Sequence, residues 1–141
     1  MKRAYGAVAF DDQGRILLRE PKDHFDGNVW TFAKGRADAN ELPQATALRE
    51  LEEETGFTGT VAAEIPGLWQ GTETKTTYFV VLFPERARDF DDEETASIRW
   101  AHPEEALGLL SLTTNERART RDLGVLEAAL ALVESLKASI R

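Results

Sequence analysis

The sequence contains no cysteine among its 141 residues. Disulfide bonds, zinc–thiolate centres and cysteine nucleophiles are therefore all excluded. The sequence also has no run that approaches the roughly 20 apolar residues of a membrane span. Its first apolar run, Ala7 to Phe10, is shorter than the core of a signal peptide and stops at Asp11 and Asp12. We therefore expect a cytoplasmic protein with no membrane partner.

Positive charge is also scarce, since 17 Lys and Arg residues stand against 25 Asp and Glu residues and the net charge is −8. Proteins that bind long nucleic acids without sequence preference need a basic surface, because they neutralise phosphates. The acidic balance therefore argues against a long nucleic acid as a partner. It does not exclude a small polyphosphate, because metal ions can neutralise both the ligand and the protein.

The chain shows no internal repeat, low-complexity stretch or linker, so we expect one domain over residues 1–141. Apolar residues bounded by turn signals predict strands or β-rich segments at 4–10, 15–20, 29–32, 59–72, 75–83 and 96–101. Loops are expected at 21–28 and 89–94. Helices are predicted at 43–55, where Pro43 suits the first turn and Gly56 the C-cap, at 103–110 and at about 122–136. This order predicts an α/β fold, with a mixed sheet covered by helices on two faces.

The helix predicted at 43–55 carries a cluster of glutamates. At about 100° per residue, Glu50, Glu53 and Glu54 share one face, whereas Leu48 points the opposite way and Leu51 flanks the apolar side. Like charges three and four residues apart destabilise a helix, and anions near its C-terminus are unfavourable. A bound cation would offset both effects, and ligands that are all oxygen suit Mg²⁺ or Mn²⁺. On these residues alone, an acidic surface helix exposed to solvent is the commoner explanation.

The residues around the cluster change that balance. Gly35 is followed after five residues by Glu41, and after seven more by the run Arg49-Glu50-Leu51-Glu52-Glu53-Glu54-Thr55-Gly56-Phe57. This segment resembles the complete Nudix box, Gly-x5-Glu-x7-Arg-Glu-U-x-Glu-Glu-x-Gly-U, where U is a bulky apolar residue. The one soft departure is Phe57, because the family more often has an aliphatic residue there. The resemblance implies the Nudix fold, an α/β/α sandwich around a mixed β-sheet, and Mg²⁺-dependent hydrolysis of a diphosphate linkage.

The resemblance also implies roles for the residues of the box. The expected metal ligands are the carbonyl of Gly35 and the carboxylates of Glu50, Glu53 and Glu54. Glu50 is either a ligand or the base that orients water, and this alternative stays open. Arg49 is expected to orient a glutamate, with Glu41 as that partner or as an outer metal ligand. Glu52 faces away from the cluster, so we expect it to be dispensable.

A further acid is expected from the acidic loop at 89–94. In several Nudix enzymes a glutamate six residues before a tryptophan supplies a ligand or base, and Glu94 and Trp100 match that spacing. Glu94 is therefore the expected additional catalytic residue, with Glu93 as the second choice. Four acids in one loop are otherwise usually just solvated.

Several residues are candidates for binding the substrate. Lys34 and Arg36 flank Gly35, where phosphates would lie, although surface charge beside a loop is the plainer explanation. Trp30, Trp69 and Tyr78 have rings that suit stacking on a base, but aromatic residues in strands more often belong to the core. The segment 113–121 contains three arginines and is either a polyphosphate clamp or the entry to the last helix.

Comparison with signatures within the family narrows the substrate only weakly. Thr72 stands where ADP-ribose hydrolases have a proline, and Tyr78 lies farther from the box than the tyrosine of dinucleoside polyphosphate hydrolases. The segment from Trp30 to Gly35 is similar to the Trp-x-x-Pro-Lys-Gly run of diadenosine polyphosphate hydrolases, with Ala33 in place of proline. We therefore favour nucleoside or dinucleoside polyphosphates.

Two other functions were weighed against hydrolysis. A nucleotide-binding regulatory protein without turnover typically loses box glutamates or carries a second domain, and neither is expected here. A Nudix-type isomerase needs a cysteine, which this chain lacks. A homodimer is left open, because the apolar face of the last helix suits either the core or a partner.

Overall fold

A computed structural model describes residues 1–139. Its strands are β1 (Lys2–Phe10), β2 (Ile16–Pro21), β3 (Ala33–Gly35), β4 (Phe57–Thr58), β5 (Val61–Glu64), β6 (Trp69–Gln70), β7 (Thr74–Leu82), β8 (Glu85–Arg86) and β9 (Thr95–Ala101). Its helices are α1 (Pro43–Thr55), α2 (Pro103–Leu110) and α3 (Glu116–Ser139). A short 3-10 segment, Lys22–Gly27, follows β2.

The main sheet is mixed. Its strand order is β5-β7-β1-β2-β9, with β3 beside β1 and β6 beside β7. β1 and β7 run parallel in register from Lys2 opposite Thr74 to Phe10 opposite Leu82, and the other pairs are antiparallel. The central strands are largely buried on both faces, which explains why they read as nearly continuous apolar runs.

Helices cover both faces of this sheet. Alternate residues of β1 point to opposite sides: Ala7 and Ala9 pack with Leu51 of α1, whereas Val8 and Phe10 pack with Val125 and other apolar residues of α2 and α3. The structure therefore confirms the predicted α/β/α arrangement. Over residues 1–139, neither the long α3 nor any other helix combines the length and apolar content needed to cross a bilayer.

Three boundaries differ from those predicted. Residues 29–32 do not form a strand; Thr31 makes only an isolated bridge to Arg19, and the strand is β3. The β-rich segment 59–72 divides into β5 and β6, separated by Gly67 at a φ of 110°. α3 begins at Glu116 rather than near residue 122, because Asn115 Oδ1 accepts the Ala118 N–H and caps the helix. The first turns of α3 are polar, so a pattern of apolar residues does not show where the helix begins.

The docking of α1 on the sheet gives a stability prediction. Leu51→Ala removes a side chain that is only 2% exposed against β1 and β7, so we expect it to lower the free energy of unfolding by about 2–5 kcal/mol. Leu42→Ala is the control, because Leu42 precedes the same helix and is 73% exposed. Urea unfolding measures both; equal losses for the two variants would contradict the packing described here.

Candidate active site

Hydrogen bonds at the C-terminal end of α1, the helix that carries the glutamates, hold the acidic loop at 89–94 beside it. The last carbonyls of a helix have no partner within the helix. Here the Asp91 N–H donates to the Glu53 carbonyl at 2.8 Å, and the Thr95 hydroxyl donates to the Glu54 carbonyl at 2.8 Å. Gly56 ends the helix with a φ of 84°. These bonds bring the segment that carries Glu94 beside the glutamates of α1.

Arg49 organises the outer part of the glutamate cluster. Its guanidinium donates to both carboxylate oxygens of Glu41, at 2.8 and 3.0 Å, and to Glu50 at 3.0 Å and Glu53 at 3.2 Å. The hydrogen bonds from Arg49 hold the pKa of Glu41 at about 2. Glu41 also accepts the Thr46 hydroxyl at 2.8 Å. Glu41 is thus the glutamate partner that the sequence suggested for Arg49, and it anchors the guanidinium next to Glu50 and Glu53.

Gly35 provides space for the carboxylate of Glu50. The last residue of β3, it lies so close to Glu50 that a Cβ at this position would overlap the carboxylate carbon and both oxygens. A side chain on residue 35 would therefore push Glu50 away from the β3 backbone. This close approach explains why residue 35 is a glycine, and it places the Gly35 backbone beside the Glu50 carboxylate.

Glu54 lies deeper than the amphipathic pattern indicated. It is only 5% exposed, whereas the side chain of Glu53 is 36% exposed. Its Oε1 is 3.4 Å from Arg19 Nη1 and accepts the Lys34 N–H at 3.2 Å. Burial raises the pKa of Glu54 well above its usual range, and the adjacent Glu50 carboxyl adds to the rise. The cluster is therefore not a solvated acidic face.

Arg19 is a residue of the site that no sequence motif identifies. It lies on β2 and donates to the Thr95 hydroxyl at 3.0 Å and to the Glu94 carbonyl at 2.7 Å, besides its contact with Glu54. Its only sequence signal is an arginine directly after the apolar pair Leu17-Leu18. That signal does not reveal a partner, because Glu54 and Thr95 are distant in the chain.

The donor set suits a hard divalent cation. The groups nearest one another are carboxylates and the backbone of Gly35, all of them oxygen donors, and a buried Glu54 beside Glu50 needs a positive charge. Among residues 1–139 no three such side chains converge to hold an ion in this arrangement. The reason is that Arg49 engages Glu50 and Glu53, and Arg19 engages Glu54.

Glu93 and Glu94 both line a cavity of about 540 Å³ next to this cluster. Burial raises the pKa of Glu94, and the charges of Glu50 and Asp91 raise it further, which is consistent with its position beside the α1 glutamates. By contrast, Glu52 points away and lies 3.7 Å from Arg88.

Trp100 packs edge-on against Phe57, with ring centroids 5.4 Å apart, so the aromatic residue at the end of the box is accommodated.

The candidate substrate contacts fall into different places. Lys34 lines the cavity, whereas Arg36 is exposed, does not line it and offers its carbonyl to Arg49. Tyr78 is fully buried, so its ring is covered on both faces and cannot stack on a base in this structure. Trp30 and Trp69 are half-buried against the apolar core. The prediction of a stacking role for Tyr78 is therefore wrong for this conformation, because the strand that carries it is central.

The arginine-containing segment 113–121 also separates into distinct environments. Most of it forms the first turns of α3, which agrees with an entry to the last helix and leaves a phosphate-binding role of its arginines untested. Arg117 is exposed, and Arg119 donates to the Thr113 carbonyl at 2.8 Å. Arg121 is buried and lines the same cavity as Lys34.

Comparisons with known proteins agree with this architecture. A family model described as NUDIX domain matches residues 1–123. An RNA pyrophosphohydrolase of Gluconacetobacter diazotrophicus is 43% identical over 61 residues, which cover 39% of this chain and 36% of that protein. An ADP-ribose pyrophosphatase of Bacillus subtilis is 26% identical over 114 residues, covering 76% and 62%. The chain thus spans between about a third and two thirds of the length of these relatives.

A solved structure extends the agreement to nearly the whole chain. An Ap4A hydrolase of C. elegans superposes with a TM-score of 0.73 at 20% identity, over 96% of this chain and 99% of that one. Identity at that level shows the shared fold alone. Nudix hydrolases generally use divalent metal ions.

The space at Gly35 gives a prediction for ion binding. Gly35→Ala should displace the Glu50 carboxylate and weaken Mn²⁺ binding about tenfold or more, the usual effect of disturbing the support of a ligand. Gly108→Ala in α2 is the matched control, since a Cβ there meets nothing within 4 Å. Titration followed by electron paramagnetic resonance measures both affinities. Unchanged Mn²⁺ affinity in Gly35→Ala would refute the role given to this glycine.

Proposed function

The chain belongs to the Nudix family, and on that premise we propose that it hydrolyses a diphosphate linkage in a nucleoside diphosphate-linked compound, with Mg²⁺ as the natural ion and Mn²⁺ as a substitute. The observation that carries the proposal is the packing of the Glu50 and Glu54 carboxyls against one another, with Glu50 against Gly35 and Glu54 accepting the Lys34 N–H. Two adjacent carboxyl groups, one of them buried, are stable only if one is protonated or if a cation offsets their negative charge. Glu54 also lines a cavity with room for a small nucleotide, together with Lys34, Glu93 and Glu94.

We assign the ion to the carbonyl of Gly35 and the carboxylates of Glu50, Glu53 and Glu54. When bound, a divalent ion supplies neutralisation of the diphosphate oxygens and activation of a water. Glu50 and Glu53 would hold the ion in place of their contacts with Arg49, whereas Glu41 would keep the guanidinium beside them through its two hydrogen bonds.

The remaining residues act on the water and on the phosphates. Glu94 is proposed to accept the proton of the attacking water, because it borders the cavity and because burial, together with the nearby Glu50 charge, raises its pKa. Glu50 is the alternative base, and Glu93 the alternative acid from the loop. Lys34 is proposed to contact the diphosphate, since it lines the cavity next to Gly35. Trp30 and Arg36 stay predictions as substrate contacts.

The substrate is proposed from the same features. The names of the relatives cover RNA ends, ADP-ribose and Ap4A, which share a diphosphate linked to a nucleoside and differ in what is attached. We favour nucleoside or dinucleoside polyphosphates, because basic side chains line the cavity beside the acids. A small molecule is the proposed partner, and a homodimer stays open.

We also propose that residues 1–141 form one Nudix domain. The family match ends at residue 123 within α3, but Val125, Leu126, Ala129 and Val133 continue into the same core cluster as the sheet. The end of α3 is thus packed as part of the domain. Residues 140 and 141 lie outside the described residues.

The proposed function predicts a contrast between two adjacent glutamates. Glu53→Gln should lower turnover of nucleoside triphosphates, dinucleoside polyphosphates or nucleotide sugars about a hundredfold or more, because a proposed ion ligand loses its charge. Glu52→Gln should leave turnover unchanged, since Glu52 faces Arg88 outside the cluster. Mass spectrometry of the products with Mg²⁺ measures both.

Two outcomes would overturn this proposal. Normal Mg²⁺-dependent turnover by Glu53→Gln would remove the site assignment. Nucleotide binding by the unmodified protein without turnover of any compound would favour the regulatory alternative. Circular dichroism of both variants shows whether the fold is retained.

A further inference from the structure

Arg121 is buried in the wall of the cavity, although it is a charged residue on the first half of α3. Only 6% of it is exposed. Its Nε donates to Asp122 Oδ1 at 2.9 Å, and Asp122 Oδ2 accepts the Thr31 hydroxyl at 2.6 Å. These contacts fix the plane of the guanidinium. Its Nη2 is buried and has no hydrogen-bond partner among residues 1–139.

The fold reserves space for this guanidinium. Gly71, between β6 and β7, lies so close that a Cβ there would overlap Arg121 Nη1. A buried donor without a partner is unfavourable, because it has lost water and gained nothing in exchange. In this conformation, an acceptor atom of a bound ligand would take the free hydrogen bond of Arg121 Nη2.

The charges around the cavity indicate what kind of ligand atom this is. Arg19 is already engaged by Glu54, whereas Lys34 makes no salt bridge within the part of the chain that is described. Asp122 faces Arg121, and Asp26, the other acid near it, is exposed and accepts from Asn115. Six carboxylates and four cationic side chains line this cavity. Among the cations, Lys34 makes no salt bridge and Nη2 of Arg121 has no hydrogen-bond partner in the described part of the chain, so both are free to meet an anionic ligand atom.

We propose that Arg121 is a specificity-determining residue that binds a phosphate of the substrate beyond the diphosphate held by the α1 glutamates. This inference rests on the proposed function. Glu54 lies on α1, whereas Arg121 is held by α3 and the β6–β7 turn, so the two residues belong to different walls of the cavity. A ligand that reaches both needs an anionic group at each end. Nucleoside triphosphates and dinucleoside polyphosphates meet that requirement, whereas nucleotide sugars have only the diphosphate.

A phosphate fits these donors better than the edge of a nucleobase. The guanidinium already uses one edge on Asp122, and the remaining amino groups suit an anionic oxygen. A base would offer an uncharged acceptor and would leave Lys34 without a direct salt bridge.

The test compares Arg121→Gln with Arg117→Gln. Arg117 lies one turn earlier on α3, is exposed and lies outside the cavity, so its variant removes the same charge elsewhere. Isothermal titration with inorganic triphosphate, without metal, should show binding by the unmodified protein. We expect affinity about tenfold weaker or more in Arg121→Gln, the effect of losing one hydrogen bond to a charged group, and unchanged affinity in Arg117→Gln. Equal affinities in all three proteins would overturn the proposal.

Kinetics provide the second arm. In Arg121→Gln, kcat/KM should fall about tenfold for a nucleoside triphosphate relative to a nucleotide sugar, with the loss mainly in KM. Equal losses for both compounds would show a structural role only. If the unmodified protein cleaves neither compound, the proposed function fails, and the titration with inorganic triphosphate still decides the inference about Arg121.

A second variant guards against misfolding of Arg121→Gln. Gly71→Ala keeps the charges of Arg121 and Asp122, but its Cβ forces the Arg121 guanidinium out of its position. It should weaken binding of inorganic triphosphate as Arg121→Gln does. Thermal unfolding of each variant identifies those that remain folded, and normal binding by a folded Gly71→Ala would count against the assigned position of Arg121.

Discussion

The buried contact between Glu54 and Arg19 is the interaction on which the rest of the site depends. Glu54 belongs to α1 and Arg19 to β2, and their side chains meet at 3.4 Å. The Lys34 N–H of β3 and the Thr95 hydroxyl of β9 complete the arrangement, through Glu54 Oε1 and the Glu54 carbonyl. Removing one partner of a buried pair leaves an uncompensated charge. Four elements are therefore held in one geometry by a contact that also forms a wall of the cavity.

The parts that the sequence predicted well are those determined by local interactions. α1 begins at Pro43 and ends before Gly56 as expected, because a proline at the first turn and a glycine at the C-cap act on their own neighbours. The Arg49–Glu41 contact lies within one loop and helix, so spacing along the chain was sufficient to suggest it. The apolar runs of the central strands likewise predicted the sheet, since burial on both faces leaves a simple pattern.

The parts that the sequence did not predict depend on contacts between distant segments. Arg19 acquires its role from Glu54, and no spacing rule connects those two positions. The sequence pointed to the segment 113–121, but not to which of its three arginines lines the cavity beside Gly71. The helical pattern did not predict that Glu54 is buried, because it distinguishes the faces of α1 but does not show which other elements cover them. The sequence left Tyr78 between a stacking role and the core, and its full burial in β7, which has strands on both sides, favours the core. Tertiary packing decided each of these cases.

We propose that this carboxylate site directs water to a diphosphate. Turnover of a nucleoside polyphosphate with Mg²⁺ in water enriched in ¹⁸O, with the products examined by mass spectrometry, tests that role. We expect Mg²⁺-dependent cleavage in which one product acquires a single ¹⁸O atom at phosphorus. Cleavage that is independent of any divalent ion, or cleavage without ¹⁸O in either phosphate product, would contradict it.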